Sequence, residues 1–257
     1  MTQKRPSKRE SSISRDAQPI EFKWEPSKGS QTLPRWCAAG KAGRLPTRQL
    51  PIPALKSSRS LARVLRLRRT IREISDKKLP LRVLSDLLWA ACGVNRKKGP
   101  FGIPGRTAAS ASNSQEIDVY VALRHGTYLY DPFNHRLVPA VVGDLRSLAI
   151  GRGQGQSGAR APVRLIYVAD IDKLANTAGY QEPGLRDPDV QRSYYFVDTG
   201  LIAANVYLFA ASVGLAAWFH NCDRSGLSAK LNLRDDQRVL FGQTVGYPMK
   251  KRQGGTR

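Results

Sequence analysis

Five consecutive positions, Arg68-Arg69-Thr70-Ile71-Arg72, place three guanidinium groups and one hydroxyl in a single short segment. Guanidinium forks bind phosphate oxygens bidentately and Thr70 adds a hydroxyl donor; each charge-assisted bond is worth about 1.5–3 kcal/mol. Together they suffice to hold one phosphate dianion. The same residues also fit the solvated end of an Arg-rich helix, so a second anchor must decide. One candidate is Ala109-Ser110-Ala111-Ser112-Asn113-Ser114-Gln115. Small residues there let backbone N–H groups approach a planar ligand, and Asn113 and Gln115 can pair with ring carbonyls and ring nitrogens.

Other constellations fall away. Gly153-x-Gly155-x-x-Gly158 matches a dinucleotide fingerprint formally, but it precedes a strand at Val163 instead of leaving one, and reads as a surface loop. No H-E-x-x-H, G-x-S-x-G or Walker loop is present. His125, His135 and His220 are isolated and read as packing or surface residues. Cys37, Cys92 and Cys222, odd in number and widely spaced, argue against both a disulfide framework and a zinc site.

The elements that must carry these groups follow from periodicity. Ser60 is an N-cap ahead of Leu61, Val64 and Leu65. Pro80 opens a second helix, with Leu84, Leu87, Leu88 and Ala91 on one face and Gly93 as its stop. The pattern then changes to alternation at Ile117–Leu123. A hairpin follows, Thr127–Tyr130 and Arg136–Val138, around Asp131-Pro132-Phe133-Asn134; further strands are expected at Val163–Ala169 and Val239–Val245. Leu201–Phe219 runs nineteen residues without a charge. It contains Asn205, Tyr207, Ser212 and Gly214 and has no second span beside it, so we expect a helix buried on all sides, partly under a second subunit. Helices mixed with hairpin-linked strands make the class α+β.

Charge divides the 257 residues unevenly. Of the formal +22, residues 1–60 carry +9, 61–100 carry +8, 101–249 only +1 and the last eight +4. Residues 1–55 form a basic arm rich in Ser, Pro, Lys and Arg, 56–252 the folded domain and 253–257 a tail. An arm of this charge is either a solvated extension or a contact for nucleic acid or an anionic surface. The first thirty residues lack an apolar run of seven, so the expected location is cytoplasmic with no transmembrane segment.

Five motifs in order resemble the nitroreductase-like FMN flavoproteins: Arg-Arg-Thr-x-Arg at 68–72, Leu87–Arg96, Ala109–Gln115, Gly214-Leu215 after the apolar helix, and Val245-Gly246-Tyr247-Pro248. The resemblance spans about Leu50 to Arg252, and its nearest branch is that of azoline-forming oxidases. It implies a nitroreductase-like sandwich, a mainly antiparallel sheet flanked by helices, in an intertwined homodimer with FMN at the interface. Arg68, Arg69, Thr70 and Arg72 would lie on the FMN phosphate and ribityl chain, with Gly246, Lys250 and Arg252 adding to the phosphate grip. Ser110, Ala111, Ser112, Asn113 and Gln115 would face the flavin from the partner subunit, although Ala109 and Ala111 stand where the family has Pro and Ser. Ala217, Trp218, Phe219 and His220 would line the isoalloxazine edge. The implied activity is FMN-dependent oxidoreduction between NAD(P)H or another reductant and a small-molecule acceptor, with no side chain as catalytic acid or base and no metal. Two alternatives remain: an FMN-dependent dehydrogenase of peptide azolines, and a flavin-binding protein without turnover whose arm binds nucleic acid or an anionic surface.

Overall fold

The structure, a computed structural model, describes residues 45–55, 59–151, 161–177 and 186–249. Its elements in chain order are β1 (Arg48–Gln49), α1 (Leu61–Leu67), α2 (Leu81–Cys92), β2 (Val94–Arg96), β3 (Gly105–Arg106), β4 (Ile117–Leu123), β5 (Gly126–Asp131), β6 (Arg136–Val142), β7 (Val163–Asp170), α3 (Ile171–Ala175), α4 (Pro188–Val213), β8 (Ala216–His220), α5 (Arg224–Leu231) and β9 (Gln237–Gly246). Seven strands form one sheet in the order β1-β6-β5-β4-β7-β9-β8, antiparallel throughout. The class is α+β, as the mixture of periods requires.

Two cores sandwich this sheet, and strand alternation sorts residues between them. In β4, Val119 and Val121 face Leu87, Leu88, Ile202 and Val206 of α2 and α4, while Tyr120 and Ala122 face Leu227 and Leu231 of α5. β7, covered on both faces, is buried along its whole length. The Pro-rich stretch ahead of residue 55 is anchored to this body: β1 pairs with β6, and Leu50 is buried. His135 is not isolated. Its ring lies between Ser85 Oγ (2.7 Å) and the Tyr130 hydroxyl (2.9 Å), and Ser85 donates to Pro51 O, tying that stretch to the core.

One expected element is different. The uncharged run Leu201–Phe219 is not a single helix: α4 ends at Val213, Gly214 caps it at φ 77°, and β8 begins at Ala216. A left-handed residue costs Gly least, so the chain turns there regardless of the apolar composition on either side. α4 also starts thirteen residues earlier than the apolar run, with Asp187 accepting from the Asp189 and Val190 N–H groups and Pro188 in the first turn. Nor is it buried all round, since Phe196, Val197, Leu201 and Val213 stay exposed. It is long and apolar enough to cross a membrane. Its inner face, Ile202, Ala203, Val206, Phe209 and Ala210, is instead packed into the larger core.

Candidate functional site

β8 is an edge strand, and residues 68–75 lie along its open side. The Ile71 N–H donates to Ala217 O at 3.1 Å; further on, the Ser75 N–H donates to Tyr247 O (2.8 Å) and the Met249 N–H to Glu73 O (2.9 Å). Gly246 permits this approach, because a Cβ there would come within 2.6 Å of Ile74 Cγ2. The segment therefore holds its side chains over β8 and the C-terminal end of α4. Arg68 sits over the Tyr207 ring at 5.6 Å and Arg72 over the Trp218 ring at 5.7 Å. Thr70 Oγ1 is 3.2 Å from the Tyr207 hydroxyl, which accepts the Phe219 N–H at 2.8 Å. Arg69 is exposed and joins none of these contacts.

Arg68, Thr70, Arg72, Ala217, Trp218, Phe219 and Gly246 are thus drawn together from three separate stretches of sequence. Tyr207, which joins Thr70 to β8, was missed as a site residue; in the sequence it served only as one of the polar interruptions of the apolar run. The signal was its hydroxyl, which a half-buried position obliges the fold to pair. Tyr207→Phe keeps the ring and removes both bonds. It is expected to lower stability by about 1–2 kcal/mol, measured by urea unfolding, with the ring stacking of Arg68 preserved.

His220 points elsewhere. Its ring is buried, with Nε2 at 2.7 Å from Thr244 Oγ1 and Nδ1 at 2.9 Å from Asn221 O. Burial, with Arg164 nearby, pushes its pKa down to about 4, so it stays neutral as a structural tie between β8 and β9. Lys250 and Arg252, like the Gly153–Gly158 run, lie outside the described residues.

The small-residue loop is built at the other end of α4. Ser112, Asn113 and Gln115 all have left-handed backbone, with φ of 48°, 57° and 54°. Hydrogen bonds hold this shape. The Ala111 N–H donates to Asp198 Oδ2 (2.8 Å), the Gln115 N–H to Ser110 Oγ (3.0 Å), and Gln115 Nε2 to Pro104 O (2.6 Å) and Asn113 Oδ1 (2.9 Å). Asn113 Nδ2 donates in turn to Ile103 O at 3.2 Å. The amides of Asn113 and Gln115 are therefore engaged in shaping the loop. Asp198 precedes Tyr207 by nine residues on α4, about 13 Å along the axis. Within one chain the loop and the arginine cluster are separate.

Beneath the loop is a carboxyl pair that sequence reasoning also missed. Buried Glu116 accepts the Ser114 hydroxyl at 2.6 Å and interacts electrostatically with the neighbouring Asp198 carboxyl. Burial first, then the Asp198 charge, pushes Glu116 up to about 7. Asp198 is also raised by burial, but the Ala111 N–H and Glu116 offset this in part. Asp198 therefore carries the charge and Glu116 the proton.

The profile of the Nitroreductase family matches residues 65–247, most of the chain and all of the site just described. The chain belongs to the nitroreductase family. A curated Methanocaldococcus jannaschii protein named as a nitroreductase is 31% identical over 176 residues, 66% of this chain and 81% of that one. A solved structure from Ralstonia eutropha JMP134, also named as a nitroreductase, is 35% identical. It matches with a TM-score of 0.69 over 89% of this chain and 100% of its own. The Escherichia coli microcin synthetase McbBCD complex, solved with truncated pro-MccB17 bound, shares the fold at 20% identity and a TM-score of 0.58, over 71% of this chain and 70% of that one. As a nitroreductase-family member the chain is a nitroreductase-like oxidoreductase, from a family whose members generally bind flavin and work as dimers with NAD(P)H.

Proposed function

We propose that this protein is an FMN-dependent oxidoreductase that works as a homodimer, taking electrons from NAD(P)H or another reductant and passing them to a small organic acceptor. FMN, when bound, supplies the hydride acceptance and release at its N5 atom. The chain's own residues do the holding. Arg68, Arg69, Arg72 and the Thr70 hydroxyl supply donors for a phosphate dianion, and the surface beside β8 from Ala217 to Phe219 takes the ring system. The loop Ser110–Gln115 of a second copy closes over it.

One observation carries this reading: Arg68 and Arg72, neither of them in an ion pair among the described residues, converge on β8 through Tyr207 and Trp218. The donor set fits the group. It offers guanidinium forks and a hydroxyl to an anion, next to aromatic faces against which a flat ring can lie. The separation of the loop from this cluster along α4 favours two subunits per site over one.

The absorption spectrum of the purified protein tests the proposal, together with identification of the cofactor released on denaturation. A yellow protein that releases FMN and is bleached by NADH or NADPH is expected. A colourless protein that FMN cannot reconstitute would sink the reading.

A further inference from the structure

A cavity of about 860 Å³ opens where the chain continues from Ile74 into α2. It shares no lining residue with the cluster around Tyr207. Its walls come from β1, the first turn of α2, the β4–β5 turn and the start of β7, and they combine two chemistries.

One wall is aliphatic, with Leu79, Leu84, Leu123, Leu137 and Val163. The other is cationic. Arg48, Lys78 and Arg124 reach the cavity, and none of them takes part in an ion pair among the described residues; Arg48 rests on the Tyr128 ring at 5.5 Å. Arg146 also lines it but is neutralised by Asp144, at 2.8 and 2.6 Å. Asp76 is the remaining acid, so the three cations outnumber it. α2 starts at this wall with no side-chain cap and no acidic residue in its first turn, leaving the positive end of its dipole uncompensated. His125 senses the resulting field: partial burial, then Arg48 and Lys78, hold its pKa below the usual 6.5.

Cations gathered against an apolar wall repel one another and gain from an anion that neutralises them. The aliphatic side chains gain nothing from a bare ion, but they do from a hydrocarbon body that leaves water. We propose that this cavity is a second ligand site, distinct from the flavin site, which takes a carboxylate carried on an aliphatic or aromatic body. Its volume is that of an ordinary small-molecule site. The carboxylate meets Arg48, Lys78 and Arg124, and the body lies on Leu79, Leu84 and Leu123.

Decanoate is the probe, added to the full-length protein as purified, with the imidazole signals followed by NMR. Among the three histidines, His135 and His220 are held down to about 4 by burial, so His125 is the one that titrates nearest neutral; His125→Gln confirms its assignment. Saturable binding is expected, with a rise in the His125 pKa as the carboxylate offsets Arg48 and Lys78. Decanol and acetate, each lacking one half of the ligand, are expected to bind roughly 10-fold more weakly or less. The double variant Arg48→Met, Lys78→Met is expected to weaken decanoate by at least about 10-fold and to leave flavin content unchanged. If that variant does not fold, Arg124→Gln on the exposed turn serves, with a loss of roughly 5-fold.

The proposal is overturned by any of four results: no saturation, a His125 pKa that does not move, equal binding of decanol and decanoate, or undiminished binding after the cations are removed. Tighter binding of a polyglutamate peptide than of decanoate would also overturn it in favour of a macromolecular acid. None of these readouts involves flavin. A protein found colourless would fail the flavin reading and leave this test intact.

Discussion

Replacing Arg68 and Arg72 together by Ala is expected to give a folded protein that no longer retains flavin. Two charge-assisted contacts at about 1.5–3 kcal/mol each weaken binding by roughly 10²–10⁴-fold when both are removed. Stability should change far less. Both side chains are exposed, neither is in an ion pair among the described residues, and each loses only its stacking on Tyr207 or Trp218, worth about 0.5–1 kcal/mol. The ratio of flavin to protein absorbance after desalting, set beside a thermal melt, separates the two effects. The Lys versions keep the charge but lose the fork, so intermediate retention is expected. Full flavin retention in the double Ala variant would place the phosphate elsewhere.

The second large effect concerns pH. Glu116 has its carboxyl raised from the usual 4.5 to about 7 in the folded chain, chiefly by burial. Between those two values the folded state holds a proton that the unfolded chain has released, so the free energy of unfolding falls as pH rises. The penalty is absent below pH 4.5, grows up to about pH 7 and is constant above it. A shift of that size corresponds to about 3 kcal/mol. Glu116→Gln keeps an acceptor for the Ser114 hydroxyl and offers an N–H to Asp198 without needing a proton. It is expected to stabilise the protein at pH 8 by up to about 3 kcal/mol, and to flatten the slope of stability between pH 4.5 and 7. Urea titrations across that range decide it; a wild-type chain equally stable at pH 5 and pH 8 would contradict the proton assignment.

Legibility in the sequence followed how local each cause was. The alternation of Val119 and Val121 with Tyr120 and Ala122 declares a strand covered on both faces, and β4 is that strand. The spacing of Leu84, Leu87, Leu88 and Ala91, together with Gly93, places α2 to within a residue of its end. α4 was harder because its boundaries do not coincide with its composition. Its first turns carry Asp189 and Arg192 and resemble a loop, while the apolar run continues through Gly214 into β8.

Of the residues gathered beside β8, those whose chemistry is carried by type alone were readable: Arg68, Arg72 and Thr70. Tyr207, Glu116 and Asp198 were not, because their roles exist only once α4 lies against β8 at one end and against the loop at the other. His220 shows the reverse case, a chemically suggestive residue whose partner Thr244 becomes visible only when β8 pairs with β9.

The loop over Ser110–Gln115 has a mechanical consequence. Three residues with left-handed backbone, none of them glycine, have few other comfortable conformations close to the one they occupy. A glycine-rich loop would drift through many shapes and act as a hinge. This one is held by an interlocking set of bonds to Asp198, Ser110 and Pro104, and losing one loosens the rest. Its construction is that of a latch, and the Asp198 carboxyl that receives the Ala111 N–H is the catch.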